Sequence, residues 1–113
     1  MALILYVEDH PPARLLMNAI VQEMTDYEII SVGSAAEAHH LINTHTPDLY
    51  ILDLDLPDGD GVSLAQELQQ RHHAPVLLVS AYAEAVDATA NYEYLPKPLD
   101  PDDVETILRR TLG

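Results

Sequence analysis

The carboxylates of Glu8, Asp9 and Asp53, the hydroxyl of Ser80 and the ammonium of Lys97 are the side chains whose types and spacing could do chemistry in this 113-residue sequence. Each follows a short run that reads as a strand. Leu3–Val7 precedes Glu8-Asp9, Leu49–Leu52 precedes Asp53, Pro75–Val79 precedes Ser80, and Glu93–Pro96 precedes Lys97. Strands running side by side in one direction would project all of these groups from one edge of a sheet. Carboxylates so placed repel one another, at roughly 4 kcal/mol per pair for a separation near 4 Å and an effective dielectric near 20. A raised pKa or a hard cation relieves that repulsion. Oxygen donors with room left for water suit Mg²⁺, which usually shares its site with a phosphate. With a metal, a hydroxyl and a lysine, the set can carry phosphoryl transfer. Asp53 would be the nucleophile that becomes an acyl phosphate, while Lys97 and Ser80 contact the phosphoryl oxygens. Lys97 is the sole lysine in a chain of 19 acidic and 5 basic residues. Its position beside the carboxylates therefore points to function.

The elements that must position these groups are legible from the apolar pattern. Leu3–Val7 is a continuous apolar run, as in a strand covered on both faces. Pro11-Pro12 opens a helix carrying Ala13, Leu16, Ile20 and Met24, proline being tolerated in a first turn. Glu28–Val32 is a second strand. Ser34 caps a helix over about Ala35–Asn43, with Ala38, Leu41 and Ile42 on its apolar side. An acidic, glycine-bearing stretch, Asp53–Gly61, follows the third strand, and a helix over about Val62–Gln70 presents Leu64, Ala65 and Leu68. The last helix has Asp100 at its cap, Pro101 first, Asp102 and Asp103 in its first turn and Arg109 and Arg110 in its last, in accord with the helix dipole. Val104, Ile107, Leu108 and Leu112 form its apolar stripe. Strands alternating with helices predict a single α/β domain over residues 1–113, with helices on both faces of a parallel sheet. Ligands in such sheets sit beyond the carboxyl ends of the strands.

At this point the chain resembles a response-regulator receiver domain of two-component signalling, with its CheY-like fold. The likeness rests on Val7-Glu8-Asp9, on Asp53-Leu54-Asp55-Leu56-Pro57 followed by Asp58 to Gly61, on Ser80-Ala81, and on Tyr94-Leu95-Pro96-Lys97-Pro98. The resemblance implies a doubly wound five-stranded parallel sheet of the flavodoxin-like kind. It implies that Asp53 accepts a phosphoryl group from a sensor histidine kinase or histidine phosphotransfer protein. Glu8, Asp9, Asp53 and the main-chain carbonyl of Asp55 would hold Mg²⁺, and Ser80, the Ala81 amide and Lys97 would contact the phosphoryl oxygens. Ser80 and Tyr94 would form the switch that relays phosphorylation to a downstream protein or output domain, and Asp55 and Tyr82 fall where the family tunes phosphoryl lifetime. Glu8 stands where Asp is more usual, a mild change because a carboxylate there can reach the metal through water. Residues 81–96 alone separate Ser80 from Lys97. After a strand is allotted, roughly a dozen remain for a helix and its loops, close to the minimum. The fourth helix is therefore expected to be shortened or irregular over Tyr82–Asn91.

Composition narrows the alternatives. A net charge of -14 excludes a basic nucleic-acid footprint and disfavours acidic membrane surfaces. With no Cys, thiol nucleophiles, thiolate zinc sites and disulfides are excluded. The first apolar run is too short for a signal or a membrane span, so a soluble cytoplasmic protein is expected. A calcium loop begun at Asp53 fails, because Pro57 and Leu64 occupy its fifth and twelfth positions. The histidine doublets His39-His40 and His72-His73 read as surface residues rather than zinc ligands. Two rival functions remain. Asp53-Leu54-Asp55 also resembles the nucleophile motif of haloacid-dehalogenase-type phosphatases, which place it on the first strand of a longer chain. The other rival is a receiver-like scaffold that binds proteins without phosphorylation.

Overall fold

The computed structural model describes residues 1–81 and 92–113. In chain order the elements are β1 (Leu3–Val7), α1 (Pro11–Met24), β2 (Glu28–Val32), α2 (Ala35–Leu41), β3 (Leu49–Asp53), a hairpin of β4 (Asp55–Leu56) and β5 (Gly59–Asp60), α3 (Gly61–Arg71), β6 (Val76–Ser80), β7 (Glu93–Pro96) and α4 (Pro101–Leu112). The main sheet has the order β2-β1-β3-β6-β7, and every pairing in it is parallel. This is the doubly wound, flavodoxin-like architecture. The expected irregular fourth helix, Tyr82–Asn91, lies outside the described residues.

Burial follows strand position. β3 and β6, with neighbours on both sides, are buried along their whole length. The edge strand β2 is only half-buried, which is why its sequence, EIISV, mixes polar with apolar residues. Alternation along the strands divides the interior into two layers. Ile4, Tyr6, Ile51, Leu77 and Val79 face one way and pack against Met17, Ile20 and Val21 of α1 and Val104, Ile107 and Leu108 of α4. Leu5, Val7, Tyr50, Leu52 and Leu78 face the other way, towards Ala38 of α2 and Leu64, Ala65 and Leu68 of α3.

The apolar side of α1 agrees with the sequence reading at Ile20 and Met24 and departs from it at Leu16. Met17, Ile20 and Val21 are its buried residues, with Met24 packed at the end, whereas Leu16 is 41% exposed. Both sets fit helical spacing, and the sheet selects the one centred on Met17. The predicted faces of α3 and α4 are those the structure buries. The β4–β5 hairpin was not expected from the acidic stretch. Its two ladder pairs, Asp55 with Asp60 and Leu56 with Gly59, are too short to show a strand period.

The helix starts are specified locally. Ser34 accepts from the Glu37 amide, Asp60 from the Ser63 amide, and Asp100 from the amides of Asp102 and Asp103. No helix among the described residues is long and apolar enough to cross a membrane.

Candidate functional site

Because β1, β3, β6 and β7 run in one direction, their carboxyl ends meet at one edge. Backbone bonds continue the ladders past the strands. The Leu54 amide donates to the Val79 carbonyl at 3.0 Å, and the Lys97 amide donates to the Ser80 carbonyl at 2.9 Å. These bonds set the depth at which the charged side chains emerge.

Glu8, Asp9 and Asp53 come together there, each offering a carboxylate oxygen within 4.8 Å of the others. Their surroundings differ. The Glu8 residue is fully buried and Asp53 is 5% exposed, while Asp9 faces solvent. Lys97 reaches into the cluster with its ammonium 2.5 Å from Glu8 Oε1 and 3.2 Å from Asp53 Oδ2. One buried-end cation thus bridges the two buried carboxylates, and Asp9 is left on the open side. All-oxygen donors with a solvent-facing member are the chemistry a hard divalent cation requires, so the residues present fit Mg²⁺.

The electrostatics reflect this arrangement. Burial, followed by the hydrogen bond with Glu8 and its charge, raises the Asp53 carboxyl to about 6; the Asp55 amide and Lys97 oppose the rise. Burial acts in the same direction on Glu8. There, hydrogen bonds with Asp53, Lys97 and the His10 amide more than offset it and leave Glu8 below the ordinary carboxylate range. For Lys97, burial disfavours the ammonium, but its bonds to Glu8 and the charge of Asp53 prevail and raise its pKa. Of the two carboxyls, Asp53 is thus the one pushed towards its neutral form and Glu8 the one favoured as the carboxylate.

Of the other residues predicted from the sequence, Ser80, Ala81 and Asp55 lie at the same edge. Ser80 ends β6 and is 1% exposed, and Ala81 follows it at the surface. Tyr94 is half-buried on β7 and its hydroxyl donates to the Ser80 carbonyl at 3.2 Å. The Asp55 side chain is exposed, whereas its amide donates to Asp53 Oδ1 at 3.1 Å. Tyr82 lies outside the described residues.

Several supporting residues escaped the sequence reading. The buried Tyr6 hydroxyl donates to Glu8 Oε1 at 3.3 Å, and the His10 amide to Oε2 at 3.2 Å. The i, i+2 spacing of Tyr6 and Glu8 on one strand face is a signal that could have found the first of these. Arg14 donates to the Glu8 carbonyl at 2.6 Å, fixing the turn after β1. Nothing local marks that contact. Gly61 lies so close to the backbone that an added Cβ would stand 2.5 Å from the Asp53 carbonyl oxygen, and its amide donates to the Leu54 carbonyl at 2.9 Å. Only a residue without a side chain allows the chain to turn back this tightly behind Asp53.

Comparison with known proteins agrees with this geometry. The family model described as response regulator receiver domain matches residues 4–109. The transcriptional regulatory protein KdpE of Staphylococcus aureus is 33% identical over 108 residues, covering 90% of this chain and 46% of that protein. Response regulator Rre1 of Synechocystis is 30% identical, covering 97% of this chain and 51% of its own length. The chain thus spans about half the length of these curated relatives. Among solved structures, the response regulator TrrA of Thermotoga maritima, crystallised in complex with Mg²⁺ and BeF, superimposes with a TM-score of 0.88 at 28% identity, over 98% of this chain and 99% of that one.

Proposed function

This chain belongs to the response regulator receiver domain family, and from that premise we propose that residues 1–113 act as one phosphorylation-controlled switch whose phosphoacceptor is Asp53. The observation that carries the assignment is the placement of Asp53. It is a nearly buried carboxylate at the end of a central strand, 3.2 Å from Lys97 and within ligating reach of Glu8 and Asp9.

In this reading a carboxylate oxygen of Asp53 attacks the phosphorus of a phosphohistidine on a sensor histidine kinase or phosphotransfer protein. An O–P bond forms, the N–P bond breaks, and the donor imidazole leaves as the neutral base after taking up a proton. Glu8, Asp9, Asp53 and the Asp55 carbonyl would hold Mg²⁺, which would supply charge neutralisation for the carboxylate and the phosphoryl oxygens. The Asp55 amide orients Asp53 Oδ1. Lys97, held between Glu8 and Asp53, is positioned to move its ammonium to a phosphoryl oxygen as negative charge accumulates. Ser80 and the Ala81 amide supply neutral donors at the same edge, and a shift of Ser80 is passed to Tyr94 through the carbonyl it already engages. The buried surroundings of Asp53 strengthen each of these interactions. The domain supports its own phosphorylation and dephosphorylation, works in the cytoplasm, and signals to a downstream protein or output domain.

The test is intact-mass analysis after incubation with acetyl phosphate, with and without Mg²⁺, alongside Asp53→Asn. A single phosphoryl adduct that requires both Mg²⁺ and Asp53 is expected. No adduct on folded wild-type protein, together with no response to beryllofluoride, overturns the reading in favour of a phosphorylation-independent protein-binding scaffold.

A further inference from the structure

The loop behind Asp53 is gripped from both sides. On one side Asp60 caps α3, accepting from the Ser63 amide at 2.8 Å and the Ser63 hydroxyl at 3.0 Å. On the other, Asp58 reaches away from its own segment to α2. Its Oδ1 accepts from the Ala35 amide at 2.9 Å and its Oδ2 from the Ala36 amide at 3.0 Å. Ser34, the residue that caps α2 in sequence, takes a different amide, that of Glu37. The helix therefore has a local cap, and the amides that Asp58 takes tie a second element to it.

Asp58 occupies the turn of the β4–β5 hairpin, in which Asp55 pairs with Asp60 and Leu56 with Gly59. Asp55 is the residue whose amide holds Asp53 Oδ1. A path of hydrogen bonds and main chain thus runs from the first amides of α2 through Asp58 and the hairpin to the Asp53 carboxylate. The Asp58 carboxylate is bidentate and ionised, and the α2 amides hold it below the ordinary carboxylate range.

We propose that Asp58 is a positioning residue of the phosphoryl-transfer site: by clamping the β4–β5 hairpin to the start of α2, it holds the Asp55 backbone where its amide orients Asp53 and its carbonyl would be available to Mg²⁺. The proposal rests on the reading of Asp53 and its neighbours as the Mg²⁺ and phosphoryl site. Its role differs from that of an ordinary helix cap, because the consequence appears at Asp53 rather than in α2 alone.

The experiment compares wild type, Asp58→Ala, Asp58→Asn and Ser34→Ala by calorimetric titration with Mg²⁺ alone and by amide hydrogen exchange. Ser34→Ala weakens the start of α2 without touching the hairpin, so it reports what loss of helix stability does by itself. Asp58→Asn removes the charge and keeps one acceptor oxygen. The expected result is a Mg²⁺ affinity lowered about 3- to 10-fold in Asp58→Ala, corresponding to a coupling of modest size. Asp58→Asn should be intermediate and Ser34→Ala close to wild type. The Asp55 amide should lose exchange protection in Asp58→Ala and keep it in Ser34→Ala. Equal affinities for Asp58→Ala and wild type overturn the proposal, as does an equal loss in Ser34→Ala. A loss identical in Asp58→Asn and Asp58→Ala and erased by about 0.5 M salt also overturns it, since that is the behaviour of unscreened charge. If Asp58→Ala does not fold, Asp58→Asn carries the comparison through the same two readouts. If wild type binds no Mg²⁺, the reading of the site fails. Protection of the Asp55 amide, present in wild type and lost in Asp58→Ala, then still decides the clamp.

Discussion

Asp53, the proposed phosphoacceptor, meets two opposed demands: burial favours its neutral form, and the proposed nucleophilic role requires it to be ionised. A carboxyl raised from 3.8 to about 6 is mostly ionised at neutral pH, but its charge costs folding free energy. The sign follows from linkage. A raised folded-state pKa means that the native protein holds its proton longer than the unfolded chain. The associated stability is complete below about 3.8 and is lost as pH rises through about 6. Asp53→Asn removes this penalty. Without Mg²⁺, the variant should equal wild type near pH 4 and exceed it by roughly 1–3 kcal/mol at pH 7.5, as read from urea denaturation in chelator. Addition of Mg²⁺ should raise wild-type stability at pH 7.5 and do so less at pH 5, where protons compete for the same oxygens. A flat difference between variant and wild type across the pH range would contradict the assigned burial. Lys97→Ala leaves Glu8 buried without its cation, which costs stability as well as the proposed switch. Lys97 is therefore best tested by comparing phosphorylation with conformational response rather than by stability alone.

Elements decide where those residues stand. The turn from β3 into α3 depends on Gly61, because the Asp53 carbonyl occupies the space a Cβ would need. Gly61→Ala should destabilise the protein by about 1–3 kcal/mol, the range for overpacking a filled site, and should lower Mg²⁺ affinity by displacing the Asp53 backbone. Gly59→Ala is the matched control, since nothing lies within 4 Å of a Cβ there. Equal effects of the two substitutions would show that backbone freedom rather than close approach is at stake. At the far end of the chain, Asp100 accepts from two amides of α4, and Asp100→Ala should cost about 1 kcal/mol in urea denaturation without altering phosphorylation.

At the scale of the whole molecule, 19 acidic residues against 5 basic ones make self-repulsion the dominant long-range field. Raising NaCl from about 0.05 to about 0.5 M in chelator should raise the urea midpoint, because the Debye length shrinks well below the size of the domain. A midpoint that falls would show that exposed ion pairs such as Arg110–Glu93 and Arg109–Glu105 outweigh the repulsion. The same field has a functional side. It disfavours encounter with other polyanions.

Much of the fold and the site was written locally. Uninterrupted apolar runs marked the interior strands, Ser34 and Asp100 marked helix starts, and the faces of α3 and α4 followed from helical period, because each signal involves residues a few positions apart. That Asp53, Glu8, Asp9, Ser80 and Lys97 would meet at one edge was legible for a related reason: residues that end parallel strands share an edge whatever the strand order. What required the tertiary structure were choices among equivalent local patterns and contacts between distant segments. The sheet chose the Met17 face of α1 over the one carrying Leu16, since both satisfy the period. Strand order and register placed Lys97 between Glu8 and Asp53, and the β4–β5 turn carried Asp58 to the amides of α2. Chain chemistry determined which groups could act, and three-dimensional packing determined which of them meet, because a side chain's partners depend on spatial neighbours that its own sequence neighbourhood does not encode.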